Sequence, residues 1–182
     1  MDRRALKTKK AIREAFLNLL KKKNLNKITV AEVSQLADLG RGTFYLHYKD
    51  IFDLYDHVEN DLFSEIEQLI DTSCSNCSPE SLLNFSHTIT EYIMNNHSTF
   101  LILTKPENGG SSLYRLKDCF YKKMIWDNSN LCPSGGHAVE YMFAVSGVIG
   151  VLEEWLFNRI NLPQKQIAEL LSNVLQRLNF EN

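Results

Sequence analysis

Apolar residues recur along this chain at steps of three and four, and nowhere over a useful length do they alternate with polar ones. That period belongs to the α-helix, so the chain is confined to folds made of packed helices. Four prolines interrupt 182 residues, each at an element boundary. Ile12, Ala15, Phe16, Leu19 and Leu20 form the first stripe, in a helix over about residues 4–23, with Asn24 expected in the left-handed conformation that closes it. Thr29 followed by Glu32 makes a capping box that opens a second helix, whose buried face is Val30, Val33, Leu36 and Ala37. Asp38-Leu39-Gly40 breaks it, and a short third helix spans about residues 41–48.

The rest repeats the theme at greater length. Leu54, Val58, Leu62, Ile66 and Leu69 mark a connector helix over residues 51–71. Ser78 as N-cap and Pro79 in the first turn open a helix that reaches about residue 96. One short turn at 100–104, a helix carrying Leu113, Leu116, Phe120, Met124 and Ile125, and loops at 105–110 and 128–136 follow. Residues 137–160 are apolar nearly all round, with one stripe through Ala138, Tyr141, Val145, Val148, Leu152 and Trp155 and another through Met142, Ile149, Leu156 and Ile160. A helix apolar on two faces must bury both, one inside its own subunit and the other against a partner. Ser146, Gly147 and Gly150 remove bulk there, and the last helix, after Pro163, carries Ile167, Leu170, Leu171, Val174, Leu175 and Leu178. The reading is an all-α protein, with a three-helix head over residues 1–50 and a helical body over 51–182.

Charge separates the two parts. The first fifty residues hold 12 Lys/Arg against 5 Asp/Glu, and the remainder 8 against 17. A basic end on an acidic body suits an end that faces a polyanion. No run of eighteen apolar residues is present and the basic N-terminus lacks the apolar core of a signal peptide, so a cytoplasmic protein with no membrane segment is expected. Cys74 and Cys77 have C-x-x-C spacing, yet no second close pair or His-x-x-x-His accompanies them, so no metal site and no cofactor is expected. No Gly-rich phosphate loop, no H-E-x-x-H and no ordered Ser/His/Asp set occurs, which sets catalysis aside.

Two short helices joined by about three residues, behind a basic amphipathic helix, are the layout of a helix-turn-helix. The third helix then enters the major groove of duplex DNA. Arg41 reaches either a guanine edge or a phosphate. Gly42 lets the backbone approach closely, and Thr43, Tyr45 and His47 face outward with donors for phosphate oxygens. Phe44 and Tyr48 turn into the small core. Thr29 serves as a cap and as a phosphate ligand, and Lys49 supplies a cation past the recognition helix.

The segment TVAEVSQLADLGRGTFYLHYKDIFDL, residues 29–54, resembles the tetracycline-repressor (TetR) family of bacterial regulators. The carrying residues are Thr29, Val33, Leu36, Ala37, Arg41, Gly42, Thr43, Phe44, Tyr45, His47, Tyr48, Asp53 and Leu54, within a likeness that covers about residues 8–56. Two positions depart from the family: Asp38 stands where glycine is usual, and Ile51 where a phosphate-contacting lysine is usual. Lys49 or the pair Lys9 and Lys10 can substitute for that lysine. The resemblance implies a homodimeric repressor on a two-fold symmetric operator, released by a small-molecule or protein effector; control by a protein partner and a role as activator remain open. It also implies an effector pocket among the middle helices, with Phe85, Tyr92, Phe100, Tyr114, Phe120, Tyr121 and Trp126 as lining candidates against plain core packing. The last two helices would form the dimer, through Tyr141, Val145, Val148, Leu152, Trp155, Leu171, Val174 and Leu178. A helical protein-interaction module with a merely solubilising head is the competing class, and steep salt dependence of DNA binding separates the two.

Overall fold

The computed structural model describes residues 3–73, 78–105, 112–126 and 136–177, with the side chains of 112, 113, 122–126, 136–138 and 141 outside that description. Every regular element among the described residues is helical: α1 Arg3–Leu20, a 3-10 turn Leu25–Lys27, α2 Val30–Leu36, α3 Arg41–Tyr45, α4 Ile51–Ser73, α5 Pro79–Asn95, α6 His97–Leu103, α7 Ser112–Trp126, α8 Gly136–Leu156 and α9 Gln164–Arg177. They divide into two compact units, Met1–Leu62 with Ile102–Gly110, and Phe63–Leu101 with Ser111–Asn182. No helix among the described residues is long and apolar enough to cross a membrane.

In the first unit, α1 packs on α2 and α2 on α3. Its core is Ile12, Ala15, Phe16 and Leu20 of α1, with Leu25, Ile28, Val33, Phe44, Tyr48, Ile51, Leu54 and Val58. Asn24 does not close α1 in a left-handed conformation. It is extended, at φ −68° and ψ 152°, and leads into the 3-10 turn that carries Leu25 into the core. The capping box at α2 forms as read. Glu32 N–H donates to Thr29 Oγ1 at 3.3 Å, and Thr29 N–H donates back to Glu32 Oε2 at 3.0 Å. The face of α2 is narrower than its pattern suggested: Val33 is buried, while Leu36 is 54% exposed. Asp50 caps α4, its carboxylate accepting the Asp53 N–H at 2.9 Å, and Asp53 in turn accepts the Lys49 N–H at 2.8 Å.

In the second unit, α5 lies along α9 and α7 along α8. Ser78 caps α5 by accepting the Ser81 N–H, with Pro79 in the first turn. The α5–α9 seam is partly polar: Gln164 Nε2 donates to Thr90 Oγ1 at 2.8 Å, and the Thr90 hydroxyl donates to Ser86 O at 2.7 Å. α8 stops at Leu156, short of residue 160, because Asn158 takes the left-handed conformation at φ 56°. Trp155 Nε1 donates to Leu162 O at 2.9 Å, and His97 Nε2 to Leu156 O at 3.0 Å, which gives that carbonyl at the helix end a partner.

Candidate nucleic-acid interface

The turn between α2 and α3 hinges on Asp38, at φ 54° in the left-handed region. Aspartate tolerates that conformation better than most residues, so the turn forms without a glycine. Leu39 N–H donates to Ser34 O at 2.9 Å across the turn, and Gly40 starts α3. The fully buried Phe44 pins α3 to the core, and its ring meets that of Tyr48 at 5.7 Å. The opposite face is exposed at Arg41, Gly42, Tyr45 and Leu46, the positions one turn of helix brings together. Thr43 and His47 are half-buried at its flanks, and Lys49 is exposed.

Among the described residues no carboxylate pairs with Arg41. Its guanidinium is therefore available to a guanine or a phosphate, both of which accept its fork. A Cβ built on Gly42 meets nothing within 4 Å. The chain itself therefore has no steric need of glycine there, although glycine costs a helix about 1 kcal/mol relative to alanine.

Thr29 is placed differently from the phosphate ligand expected. Its N–H and its hydroxyl, the latter at 2.8 Å, both donate to Glu32 Oε2, so both donors are occupied by a carboxylate. Lys23 pairs with the other oxygen of that carboxylate. The hydrogen bonds from Lys23 and Thr29 hold the Glu32 carboxyl down to about 2. Thr29 is a cap in this arrangement, and a phosphate would compete with Glu32 for it. Lys10 faces Glu14 at 3.9 Å, and Ile51 is buried in the core.

Sequence reasoning missed two residues beside this face. Leu46, just past α3, is 81% exposed. Exposed leucine carries no periodic signal within so short a helix. His57, on α4, lines an open depression of about 320 Å³ with Tyr45, Leu46, His47, Tyr48, Lys49 and Asp53. Its Nδ1 donates to Asp53 O at 2.8 Å, and its ring stands edge-on to Tyr48 at 5.3 Å. Burial, followed by the charge of Asp61, pushes the Tyr48 hydroxyl above its ordinary pKa.

Elsewhere the structure redistributes the expected residues. Phe85 and Phe120 are buried and meet edge-on at 5.8 Å; the half-buried Tyr92 meets the buried Phe100 edge-on at 6.1 Å. Tyr114 is 73% exposed and cannot line an interior pocket of its own unit. Tyr121 is half-buried, and its hydroxyl is buried without a hydrogen-bond partner. The side chains of Trp126 and Tyr141, and all of Leu178, Cys74 and Cys77, lie outside the described residues. Cys119 is buried and donates to Glu67 Oε1 at 3.3 Å; burial and then Glu67 push its thiol up to about 12, which leaves it unreactive at neutral pH. No cluster of three potential metal ligands occurs among the described residues.

Most of the expected dimer residues lie inward. Val145, Val148, Leu152 and Trp155 of α8, and Leu171 of α9, are buried in the chain's own core. Of the second stripe read on α8, Ile149 and Leu156 are buried along with the first, but Met142 is exposed. An outward face is left: Val139, Met142, Phe143, Ser146 and Gly147, spaced i, i+3, i+4, i+7, i+8. On α9, Leu170 and Val174 are exposed.

No family model matches the chain. A stretch of 51 residues is 37% identical to an uncharacterised helix-turn-helix transcriptional regulator, YxbF, of Bacillus subtilis; it covers 28% of this chain and only 13% of that protein. Over nearly the whole length the chain is similar in structure to NalD, the secondary repressor of a multidrug efflux pump in Pseudomonas aeruginosa. The TM-score is 0.67 at 18% identity, with 97% of each chain covered. It is similar too to PfmR, a TetR-family transcriptional regulator of Thermus thermophilus, with a TM-score of 0.63 at 14% identity over 91% of this chain and 97% of the other.

Proposed function

We propose, from the premise that this chain has the fold of the TetR-family transcriptional regulators, that it binds duplex DNA sequence-specifically and acts as a homodimeric repressor released by an effector. The observation that carries the proposal is the outer face of α3. It joins an arginine with no carboxylate partner, a glycine the fold does not need, and a tyrosine, on the head of a chain whose first fifty residues are strongly basic. A protruding helix of that width enters the major groove. There Arg41 addresses a guanine or a phosphate, while Tyr45, His47 and Lys49 address phosphates.

A second copy sets the register. The outward stripe of α8 and the exposed Leu170 and Val174 of α9 supply apolar surface, and Ser146 and Gly147 allow helices to approach closely. A two-fold dimer would present two copies of α3 to half-sites related by the same symmetry. An effector preferring a different spacing of the two heads would lower affinity for DNA by shifting the population.

Selection of bound duplexes from a random pool tests this. The proposal expects a two-fold symmetric consensus and affinity that falls steeply with salt, with a slope of about −0.9 per phosphate neutralised. Recovery of no consensus at low ionic strength contradicts it.

A further inference from the structure

We infer that the depression beside α3 seats a phosphate of the DNA backbone, and that His57 of α4 holds this phosphate through Nε2 when its ring is protonated. The inference rests on the DNA-binding reading above. It adds a contact from outside the recognition helix, one that ties affinity for DNA to pH.

The depression adjoins the outer face of α3: Tyr45 and Leu46 belong to both, and His47, Lys49, Asp53 and His57 line the rest. Lys49 brings a positive charge and Asp53 a negative one. The Asp53 carboxylate is already engaged, since Oδ2 accepts the Lys49 N–H at 2.8 Å and Oδ1 lies 3.5 Å from His57 Nδ1. With both histidines neutral, the formal charges of the lining cancel. A protonated His57 tips the balance to positive, and a phosphate is then attracted rather than ignored.

The geometry of His57 fixes which nitrogen meets the phosphate. Nδ1 lies 2.8 Å from Asp53 O, and a carbonyl oxygen only accepts, so Nδ1 carries the proton of the neutral ring. Nε2 is then a bare lone pair, which a phosphate oxygen cannot engage. Protonation makes Nε2 a donor and adds the charge in the same step. Nε2 has no hydrogen-bond partner among the described residues, and the side chain is 49% exposed. The Tyr48 ring, edge-on at 5.3 Å, steadies the imidazole. The charged and titratable groups around it are Asp53 and Asp61 of α4, His47, Tyr48 and Lys49 from the end of α3 onward, and Arg13 of α1, which pairs with Asp61 at 3.2 Å. Histidine changes charge near neutral pH. Binding of DNA therefore takes up a proton at this ring, and affinity rises as pH falls through the histidine range.

The test measures affinity for the selected duplex at pH 5.5 and pH 8, at constant ionic strength, for wild type, His57→Gln and His57→Lys. The gain in affinity from pH 8 to pH 5.5 should be about fivefold larger per half-site in wild type than in His57→Gln, the value of one partly exposed ionic contact. His57→Lys, charged at both values, should lose the same share of the pH response and bind more tightly than His57→Gln at pH 8. Repeating the comparison in a His47→Gln background separates the two rings, and the difference due to His57 should persist there. Methylphosphonate, which removes one backbone charge, is then placed at each phosphate in turn. At one phosphate in each half-site it should abolish the difference between wild type and His57→Gln at pH 5.5. Equal pH responses in wild type and both variants, or a difference that no methylphosphonate removes, overturns the His57 contact and leaves DNA binding standing. Failure to select any duplex overturns the DNA-binding reading, and this inference with it.

Discussion

Glu32 holds three groups at once: the ammonium of Lys23, and the N–H and hydroxyl of Thr29. Those contacts stabilise its ionised form and lower its pKa from 4.5 to about 2. A carboxyl depressed on folding contributes stability above its unfolded pKa and loses it as pH falls through the folded value. Wild type and Glu32→Gln should therefore differ most in melting temperature above about pH 4.5, and the gap should close as pH approaches 2. A gap that stays constant across that range contradicts the assignment. The S/T-x-x-E spacing made this cap legible in the sequence, since it is a local pattern. That the cap would occupy both donors of Thr29 was not legible, because the hydroxyl's choice between a carboxylate and a phosphate is made by geometry.

The turn before α3 and the faces of the helices belong to the next scale. Asp38 carries a left-handed backbone that costs an L-residue about 1–2 kcal/mol and glycine almost nothing. Asp38→Gly should raise stability by about 0.5–1 kcal/mol, which a denaturant melt reads directly; a loss of that size would place an unseen contact at the aspartate. Most helix positions were readable because periodicity is a property of the local chain; α6, His97–Leu103, was read only as one short turn at 100–104. Which side of a stripe faces inward was readable only where one face is apolar, as in α1. In α8 both sides are apolar, so tertiary packing decides, and it buried Val145, Val148, Leu152 and Trp155 while leaving Phe143 70% exposed. Leu46 escaped notice for the related reason that α3 is only five residues long, too short for a pattern.

For the whole molecule, the account requires a second copy and a polyanion. The outward stripe of α8 is the surface proposed for the first: Phe143→Asp should convert a dimer into a monomer in light scattering, with the helical signal retained. A wild type that is already monomeric, or a variant that stays dimeric, contradicts that surface. The uneven charge of the chain suits the second, and it was legible in the sequence because it needs only a count. Whether the outer face of α3 lies in the major groove is read by methylation protection on the selected duplex. Dimethyl sulfate attacks guanine N7 in the major groove and adenine N3 in the minor groove. The account predicts protection of guanine N7 within both half-sites, weakened in Arg41→Ala if that side chain reads guanine. Protection confined to adenine N3, or none on a duplex that is demonstrably bound, would contradict it.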